Sequence, residues 1–349
     1  MTSKETARAL RWGLALLVLL LTGACGLEVT PAIVVPWPTA TPTATATPLP
    51  PTATPTPTPP PTPAPLITAP ADGVPKYTLD IALNYADRRL EVAQRVLLLN
   101  NSPDVWDEIV FSVPPAHQPG VFTLHVAEIT TAWAKHTATA TVESSMLHVY
   151  APVPVAPGDP VAVYLSYAMQ VPPVDLGAWL PLGNLGAGER SIQVGDWHPT
   201  LNPYRPGEGW LTWTFHPVGD PNVYTLGDYD VQILTDPSVV LAAPGTFTQV
   251  GQVRRFQLPR ARSFAFLASP EYQFVSGTAG AIPVRVYYLP GQGEAAQAVV
   301  DTANKCITLY QEYYGPYPYE GLVVAQNAYF GGMEYSGLIS MSSYAYEGY

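Results

Sequence analysis

The stretch "YTLDIALNY", Tyr77–Tyr85, sets the structural class of most of the chain. Its large apolar side chains fall on every second position, at Tyr77, Leu79, Ile81, Leu83 and Tyr85. Successive side chains of a strand point to opposite faces of a sheet, so this period of two indicates a strand with one buried face. We therefore predict that the stretch begins a β-rich region.

Strand-like runs continue downstream to about Ser276, and no long amphipathic helix interrupts them. The run "MLHVYAPVPVAPGDPVAVYLSYAM" (146–169) predicts two strands around a Pro-Gly-Asp turn. Other predicted strands are "AQRVLLLNNS" (93–102), "EIVFSVPP" (108–115), "GWLTWTF" (209–215), "DYDVQILT" (228–235), "RRFQLP" (254–259) and "SFAFLAS" (263–269). Together they predict an all-β domain over residues 76–278, built as a sandwich or a large curved sheet.

The pattern changes after Gly280. "AIPVRVYYLP" (281–290) predicts a strand, and residues 293–315 carry apolar side chains at helical spacing that end at Gly315, a residue typical of helix C-termini. The predicted apolar face comprises Ala296, Val299, Val300, Ala303, Cys306, Ile307 and Tyr310. A strand (319–327), a loop (328–336) and another strand (337–343) follow, so residues 279–349 are predicted to begin an α+β domain.

The first 25 residues predict an export signal. A basic start with Lys4, Arg8 and Arg11 precedes the short apolar run Leu14–Leu21. Thr-Gly-Ala then precedes Cys25, which resembles the lipobox of bacterial lipoproteins. We expect lipid attachment at Cys25 and a location on the outer face of a bacterial membrane. The alternatives are an ordinary secretory signal cleaved near Ala24 and an uncleaved anchor.

Residues 26–75 form a linker rich in Pro, Thr and Ala. Proline fixes φ and removes a backbone donor, so this linker is predicted to be a disordered, extended spacer that lifts the later domains off a membrane.

The net charge of −11, with 16 basic residues, argues against binding to nucleic acid or to anionic lipid. With Cys25 lipidated, Cys306 has no disulfide partner and is predicted to pack as a small apolar side chain.

The common catalytic motifs are missing from the printed sequence. It has no G-x-x-x-x-G-K-[ST], no G-x-S-x-G and no H-E-x-x-H, and "GNLGAGERS" (183–191) is interpreted as a loop. The histidines show no ligand spacing, so we predict surface or packing roles for them and no metal site in this chain. They are His117, His125, His136, His148, His198 and His216.

The segment Gly331-Gly332-Met333-Glu334 is the strongest candidate for chemistry. Glycines let backbone approach a ligand closely, and a carboxylate beside exposed main chain suits an α-ammonium group. The alternative is that Glu334 is an ordinary solvated charge on a loop.

The surrounding sequence resembles a known family. Residues 313–343, "YYGPYPYEGLVVAQNAYFGGMEYSGLISMSS", are similar to the gluzincin zinc aminopeptidases, the membrane alanyl aminopeptidase and leukotriene hydrolase family of M-one metallopeptidases, whose signature includes a G-x-M-E-N loop. Residues 195–204 and 219–245 resemble, more diffusely, the all-β domain that precedes the catalytic domain in that family. The resemblance implies that residues 279–349 begin a thermolysin-like catalytic domain.

The resemblance also implies roles for single residues. Gly331, Gly332 and Met333 would line the substrate backbone, and Glu334 would bind the free amino terminus of a peptide. Tyr335 stands where the family has Asn, which is a departure from the pattern. The second amine-binding group of the family, a carboxamide or carboxylate from the β domain, has three candidates here, namely Glu189, Gln193 and Asp196.

In the family, H-E-x-x-H follows the loop by about two dozen residues, and the printed sequence ends at Tyr349. We therefore expect an amino-terminal portion of an exported zinc aminopeptidase, inactive by itself, with zinc bound only in the complete protein. The alternative is a noncatalytic surface module, a β-sandwich on a lipid-anchored stalk that binds protein or glycan. A downstream H-E-x-x-H would distinguish the two.

Overall fold

A computed structural model describes residues 64–174, 184–215, 222–328 and 331–347. The predicted export segment, Cys25 and most of the predicted linker lie outside the described residues. Within the described ranges, no helix combines the length and the apolar character needed to cross a bilayer.

The secondary structure is mostly β, as the sequence predicts. In chain order the strands are β1 (Lys76–Asn84), β2 (Arg89–Leu99), β3 (Trp106–Ser112), β4 (Phe122–Thr131), β5 (Lys135–Thr137), β6 (Thr139–Glu143), β7 (Met146–Val155), β8 (Pro160–Gln170), β9 (Leu185–Ala187), β10 (Ile192–Val194), β11 (Thr200–Leu201), β12 (Tyr204–Arg205), β13 (Gly209–Trp210), β14 (Gly227–Leu234), β15 (Val240–Ala242), β16 (Thr246–Val250), β17 (Val253–Ala261), β18 (Phe266–Ser269), β19 (Gln273–Ala279), β20 (Ile282–Tyr288), β21 (Leu322–Gln326), β22 (Met333–Tyr335) and β23 (Leu338–Met341). The helix α1 spans Gly293–Tyr314, and 3-10 turns span Pro114–His117 and Ser343–Ala345.

The large sheet contains the stretch that first indicated β-structure. Among the described residues its order is β16-β17-β14-β1-β2-β8-β4-β5. Strand β1 pairs antiparallel with β2 and parallel with β14. Its alternate residues Tyr77, Leu79, Ile81 and Leu83 are buried, which confirms the predicted period of two.

Three smaller sheets complete the β-rich part, which we call the body. Their orders in the described chain are β15-β18-β10-β9, β11-β3-β7-β6 and β12-β13. Trp197 is fully buried in the core of the body, where its indole N–H donates to the backbone oxygen of Phe264 at 3.0 Å. The all-β prediction for this part is confirmed.

A mixed sheet follows the body, with the order β19-β20-β21-β23-β22 in the described residues. Helix α1 covers one of its faces, where Ala296, Val300 and Ile307 pack with Val286 and Val324. The helix ends at Gly315, which has a φ of 89°. This confirms the predicted change to α+β structure.

The opposite face of the mixed sheet packs on the body. Ala325 and Leu338 of the mixed sheet lie in one buried cluster with Ala265 and Leu267 of the body. The mixed sheet is therefore buried on both faces, which explains the nearly continuous apolar run in β21.

Several sequence interpretations need correction. In "GWLTWTF" only Gly209 and Trp210 form a strand, because the following segment does not join a sheet. In "GNLGAGERS", predicted to be a loop, Leu185–Ala187 forms β9 and is buried beside β10. In the loop predicted at 328–336, Met333–Tyr335 forms β22, since it pairs with the strand that follows.

Strand β19 (Gln273–Ala279) pairs with β20 in the mixed sheet. The predicted domain boundary between residues 278 and 279 therefore lies within this hairpin, and the domain limits stay predictions.

His198 takes the packing role that the sequence predicts for it. It is 1% exposed and lies among the rings of Tyr77, Trp197 and Tyr229. Burial without a carboxylate partner disfavours the imidazolium, so it lowers the pKa of His198 from 6.5 to about 4.

Protonation of His198 should therefore contribute to unfolding of the protein at acid pH. Between pH 6.5 and about 4 the unfolded imidazole binds a proton and the folded one does not. Stability from this group is full above pH 6.5 and declines as the pH falls toward 4, by about 3 kcal/mol at about 1.4 kcal/mol per unit of pKa. Denaturant unfolding at stepped pH measures this slope.

The substitution His198→Gln should flatten that slope, because it removes the titrating group from the core. The exposed His125 provides the control, since His125→Gln should leave the slope as it is in the unmodified protein. An unchanged slope in His198→Gln would show that other groups cause the acid sensitivity.

Candidate functional site

Strand β22 lies at the edge of the mixed sheet in the described structure. It pairs antiparallel with β23, with Met333 opposite Ser340 and Glu334 opposite Ile339. An edge strand has backbone N–H and C=O groups along one side that are not used by its own sheet. One side of the predicted recognition segment therefore has no neighbouring strand within its own sheet in the described residues.

The strand alternation separates the side chains of this segment. Met333 and Tyr335 lie on the same face of the sheet as Ser340, and this face is directed toward the body. Glu334 lies on the opposite face with Ile339, which packs in the cluster on the side of helix α1. Glu334 is exposed, and Met333 and Tyr335 are half-buried. The carboxylate predicted to bind an amine is therefore accessible at the sheet edge.

A side chain at residue 332 would make a tight contact, because the chain passes close to β23. A Cβ at this position would lie 3.1 Å from the backbone oxygen of Ser340. The backbone oxygen of Gly331 accepts a hydrogen bond from Asn327 Nδ2 at 2.9 Å. Gly332 thus packs close to β23, and the carbonyl group of Gly331 is held by a hydrogen bond.

Asn327 also links this loop to the body through Ser340. Its Nδ2 donates to Ser340 Oγ at 2.9 Å, and the Ser340 hydroxyl donates to Gln193 Oε1 at 2.6 Å. Asn327 and Ser340 are fully buried, and Gln193 is 3% exposed. Breaking such a bond costs about 1–3 kcal/mol, because a buried polar group loses its partner.

Two residues after Gln193, the body meets the recognition segment again. A Cβ on Gly195 would lie 1.9 Å from the hydroxyl oxygen of Tyr335, so the tyrosine occupies space that any other residue at 195 would fill. The next residue, Asp196, has a φ of 44° and accepts a hydrogen bond from Asn184 Nδ2 at 2.6 Å. Strand β10 of the body is therefore followed by a sharp turn next to the recognition segment.

The structure places the predicted site residues in different environments. Gln193 lies beside the recognition segment, Asp196 contacts Asn184 at the adjoining turn, and Glu189 is exposed on the segment before β10. The assignment of a second amine-binding group stays a prediction.

Sequence reasoning missed Asn327, Ser340 and Gly195. Polar residues just after or within a buried apolar strand, such as Asn327 and Ser340, are themselves a sign of a partner, because burial of an unpaired amide or hydroxyl is costly. Gly195 had no such sign, since its contact is with a residue distant in sequence.

Within the described ranges, no group of three or more His, Cys, Asp or Glu side chains could hold a metal ion. None of these residues is therefore assigned to zinc.

Comparison with solved structures finds a mutant of the M1 zinc metallopeptidase from Deinococcus radiodurans, bound to a Tyr-Ser-Ala substrate. The alignment has a TM-score of 0.51 at 18% identity and covers 78% of this chain and 60% of that one. The two chains share a fold. A second structure of that enzyme aligns at 17% identity with a TM-score of 0.49, covering 79% of this chain and 61% of the other.

This chain thus spans about 60% of the length of the M1 metallopeptidase that it matches. No family model and no curated protein sequence matches it. The likeness to the M1 zinc metallopeptidase lies in the fold, and it agrees with the family that the loop motif resembles.

The Gly195–Tyr335 contact makes a measurable prediction. Gly195→Ala should lower the free energy of unfolding by about 1–3 kcal/mol, because the added methyl group would overlap the ring of Tyr335. Denaturant unfolding of the variant measures the loss.

The same substitution in a Tyr335→Ala background should cost much less, since the ring is gone. Gly293→Ala serves as the control, because a Cβ there has no neighbour closer than 3.5 Å. Equal costs of Gly195→Ala in both backgrounds would contradict the close contact.

Proposed function

We propose that this chain carries the substrate-recognising part of an exported zinc aminopeptidase, which removes residues from the amino termini of peptides. The observation that carries the proposal is the exposed Glu334 on edge strand β22, next to two glycines and within a fold shared with an M1 zinc metallopeptidase.

The edge strand supports binding of an extended peptide. A peptide adds to a sheet edge by main-chain hydrogen bonds, so its sequence matters little for this part of the binding. The two half-buried side chains of β22 face the body, and β22 is the last strand of its sheet in the described residues. The solved M1 metallopeptidase is described with a Tyr-Ser-Ala substrate, which supports a peptide as the ligand here.

The carboxylate of Glu334 supports recognition of the free amino terminus. An ammonium group that donates to a carboxylate forms a charge-assisted hydrogen bond, about twice as strong as a neutral one. A peptide with an acetylated amino terminus has no positive charge for this pairing. Selection for a free amine therefore follows from one accessible carboxylate beside the edge strand.

Zinc is proposed for the complete protein, because the aligned metallopeptidase is a zinc enzyme. When bound, zinc would activate a water molecule for attack on a peptide carbonyl. The described residues contribute binding and orientation of the peptide, and we assign them no other part of the reaction.

Export and lipid attachment are part of the same proposal. The sequence of residues 1–25 supports an export signal, and Cys25 follows the small residues at which a lipoprotein signal is cleaved. The Pro/Thr-rich linker would then hold the enzyme away from the membrane surface.

Binding of Tyr-Ser-Ala to the full-length protein, kept free of metal by a chelator so that the peptide is not cleaved, tests the recognition of an amine. Isothermal titration should show binding of the free peptide and binding at least about tenfold weaker for the N-acetylated peptide, because a charged hydrogen bond is worth about 1.5–3 kcal/mol. Glu334→Gln should remove this difference between the two peptides.

Glu312→Gln is the matched control, since Glu312 is an exposed glutamate on α1 outside the recognition segment. Equal affinity of the unmodified protein for both peptides would sink the proposed amine recognition. It would favour a noncatalytic binding module, whose ligand does not need a free amino terminus.

The lipid anchor has its own test. Bacterial cells that express the protein and grow on radiolabelled palmitate should label it, and Cys25→Ser should abolish the label and release the protein from the membrane fraction. Cys306→Ser is the control, because Cys306 is the only other cysteine in the sequence and should not affect labelling. An unlabelled parent protein would indicate an ordinary secretory signal.

A further inference from the structure

The loop that precedes β22 is held by an amide nitrogen with two acceptors. Asn327 Nδ2 donates both to the backbone oxygen of Gly331 and to Ser340 Oγ, each at 2.9 Å. The backbone N–H of Asn327 donates to the oxygen of Met341 at 2.8 Å, so Asn327 itself is fixed to β23. One buried side chain therefore holds the carbonyl of Gly331 next to β23.

The Ser340 hydroxyl connects Asn327 to the body. It accepts from Asn327 and donates to Gln193 Oε1 at 2.6 Å, so the acceptor on the body determines where its proton points. Gln193 and Ser340 are 147 residues apart in sequence. The hydrogen bonds thus run from the body, through β23, to the loop.

The far end of the recognition segment contacts the same part of the body. The Tyr335 hydroxyl lies over Gly195, two residues beyond Gln193. Tyr335 is also the residue that departs from the G-x-M-E-N pattern. Gly195 therefore lies against Tyr335 of the recognition segment, and Gln193 is linked to Gly331 through Ser340 and Asn327.

We propose that Gln193, Ser340 and Asn327 are positioning residues for peptide binding, which set the orientation of the Gly331–Gly332 peptide group and of β22 from the body. This inference rests on the proposed function, because it concerns how the same peptide is held. None of the three needs to touch the peptide.

The physical reason lies in the planarity of the peptide group. The bond between the Gly331 carbonyl carbon and the Gly332 nitrogen is planar, so a fixed Gly331 oxygen also fixes the direction of the Gly332 N–H. Glycine restricts its own φ and ψ little, and the Asn327 hydrogen bond supplies the missing restriction. Preorganised backbone loses less entropy when a peptide binds.

The first test compares Ser340→Ala with Ser340→Thr in the full-length protein. Ser340→Ala removes both hydrogen bonds of the hydroxyl, and Ser340→Thr keeps a hydroxyl. We expect faster amide hydrogen exchange at residues 331–335 and about five- to tenfold weaker binding of Tyr-Ser-Ala in the alanine variant, as for a lost buried hydrogen bond, with the preference for a free amine retained. The threonine variant should restore both.

Gln193→Ala is the second variant, used if Ser340→Ala exchanges faster throughout the chain and so has lost its fold. The same localised change in exchange and affinity is expected, with Gln297→Ala on the exposed side of α1 as the matched control. Unchanged exchange and affinity in the folded variants would overturn the positioning role, as would failure of Ser340→Thr to restore them.

The two proposals fail in different ways. Absence of Tyr-Ser-Ala binding by the unmodified protein would sink the proposed function, and the positioning role in peptide binding would fall with it. Peptide binding that depends on Glu334 but is insensitive to the hydroxyl at 340 and the amide at 193 would keep the function and remove this inference alone.

Discussion

The mixed sheet has two apolar faces, and the rest of the arrangement depends on covering both. Helix α1 covers one face, and the β15-β18-β10-β9 sheet of the body covers the other. Because the body is one of the two layers, it touches β22 and β23 as a packing surface. The contacts of Gln193 and Gly195 with the recognition segment follow from this layering.

Much of the fold could be predicted from periodicity. The alternation in β1 and the helical spacing in α1 both match the buried faces, since each pattern reflects one local geometry. Short strands such as β9, β10 and β22 could not be predicted with three residues each, because their pairing partners, not their own sequence, make them strands. Strand β4, which was not predicted, has an irregular burial pattern and a register shift between Leu124 and Val126.

Some residues of the candidate site could likewise be found in the sequence, and others could not. The glycines and Glu334 could be found in the sequence, since they are adjacent and their chemistry is local. Ser340 and Gln193 could not be paired, because hydrogen bonds between residues so far apart in the chain have no sequence pattern. Tyr335 was recognised as a departure from a motif, but its close approach to Gly195 could not be predicted.

The parallel pairing of β1 with β14 has a consequence for how the chain reaches this structure. Lys76 pairs with Asp228, and Ala82 with Leu234, so one side of β1 stays uncovered until residues far along the chain have been made. At about 5–20 residues per second, a ribosome needs on the order of ten seconds or more to supply them. Such long-range pairing also slows folding, because a large loop must close first. Strand β14 and the strands beyond it therefore join the large sheet only after most of the body has been synthesised, whereas β1, β2 and β8 can pair earlier.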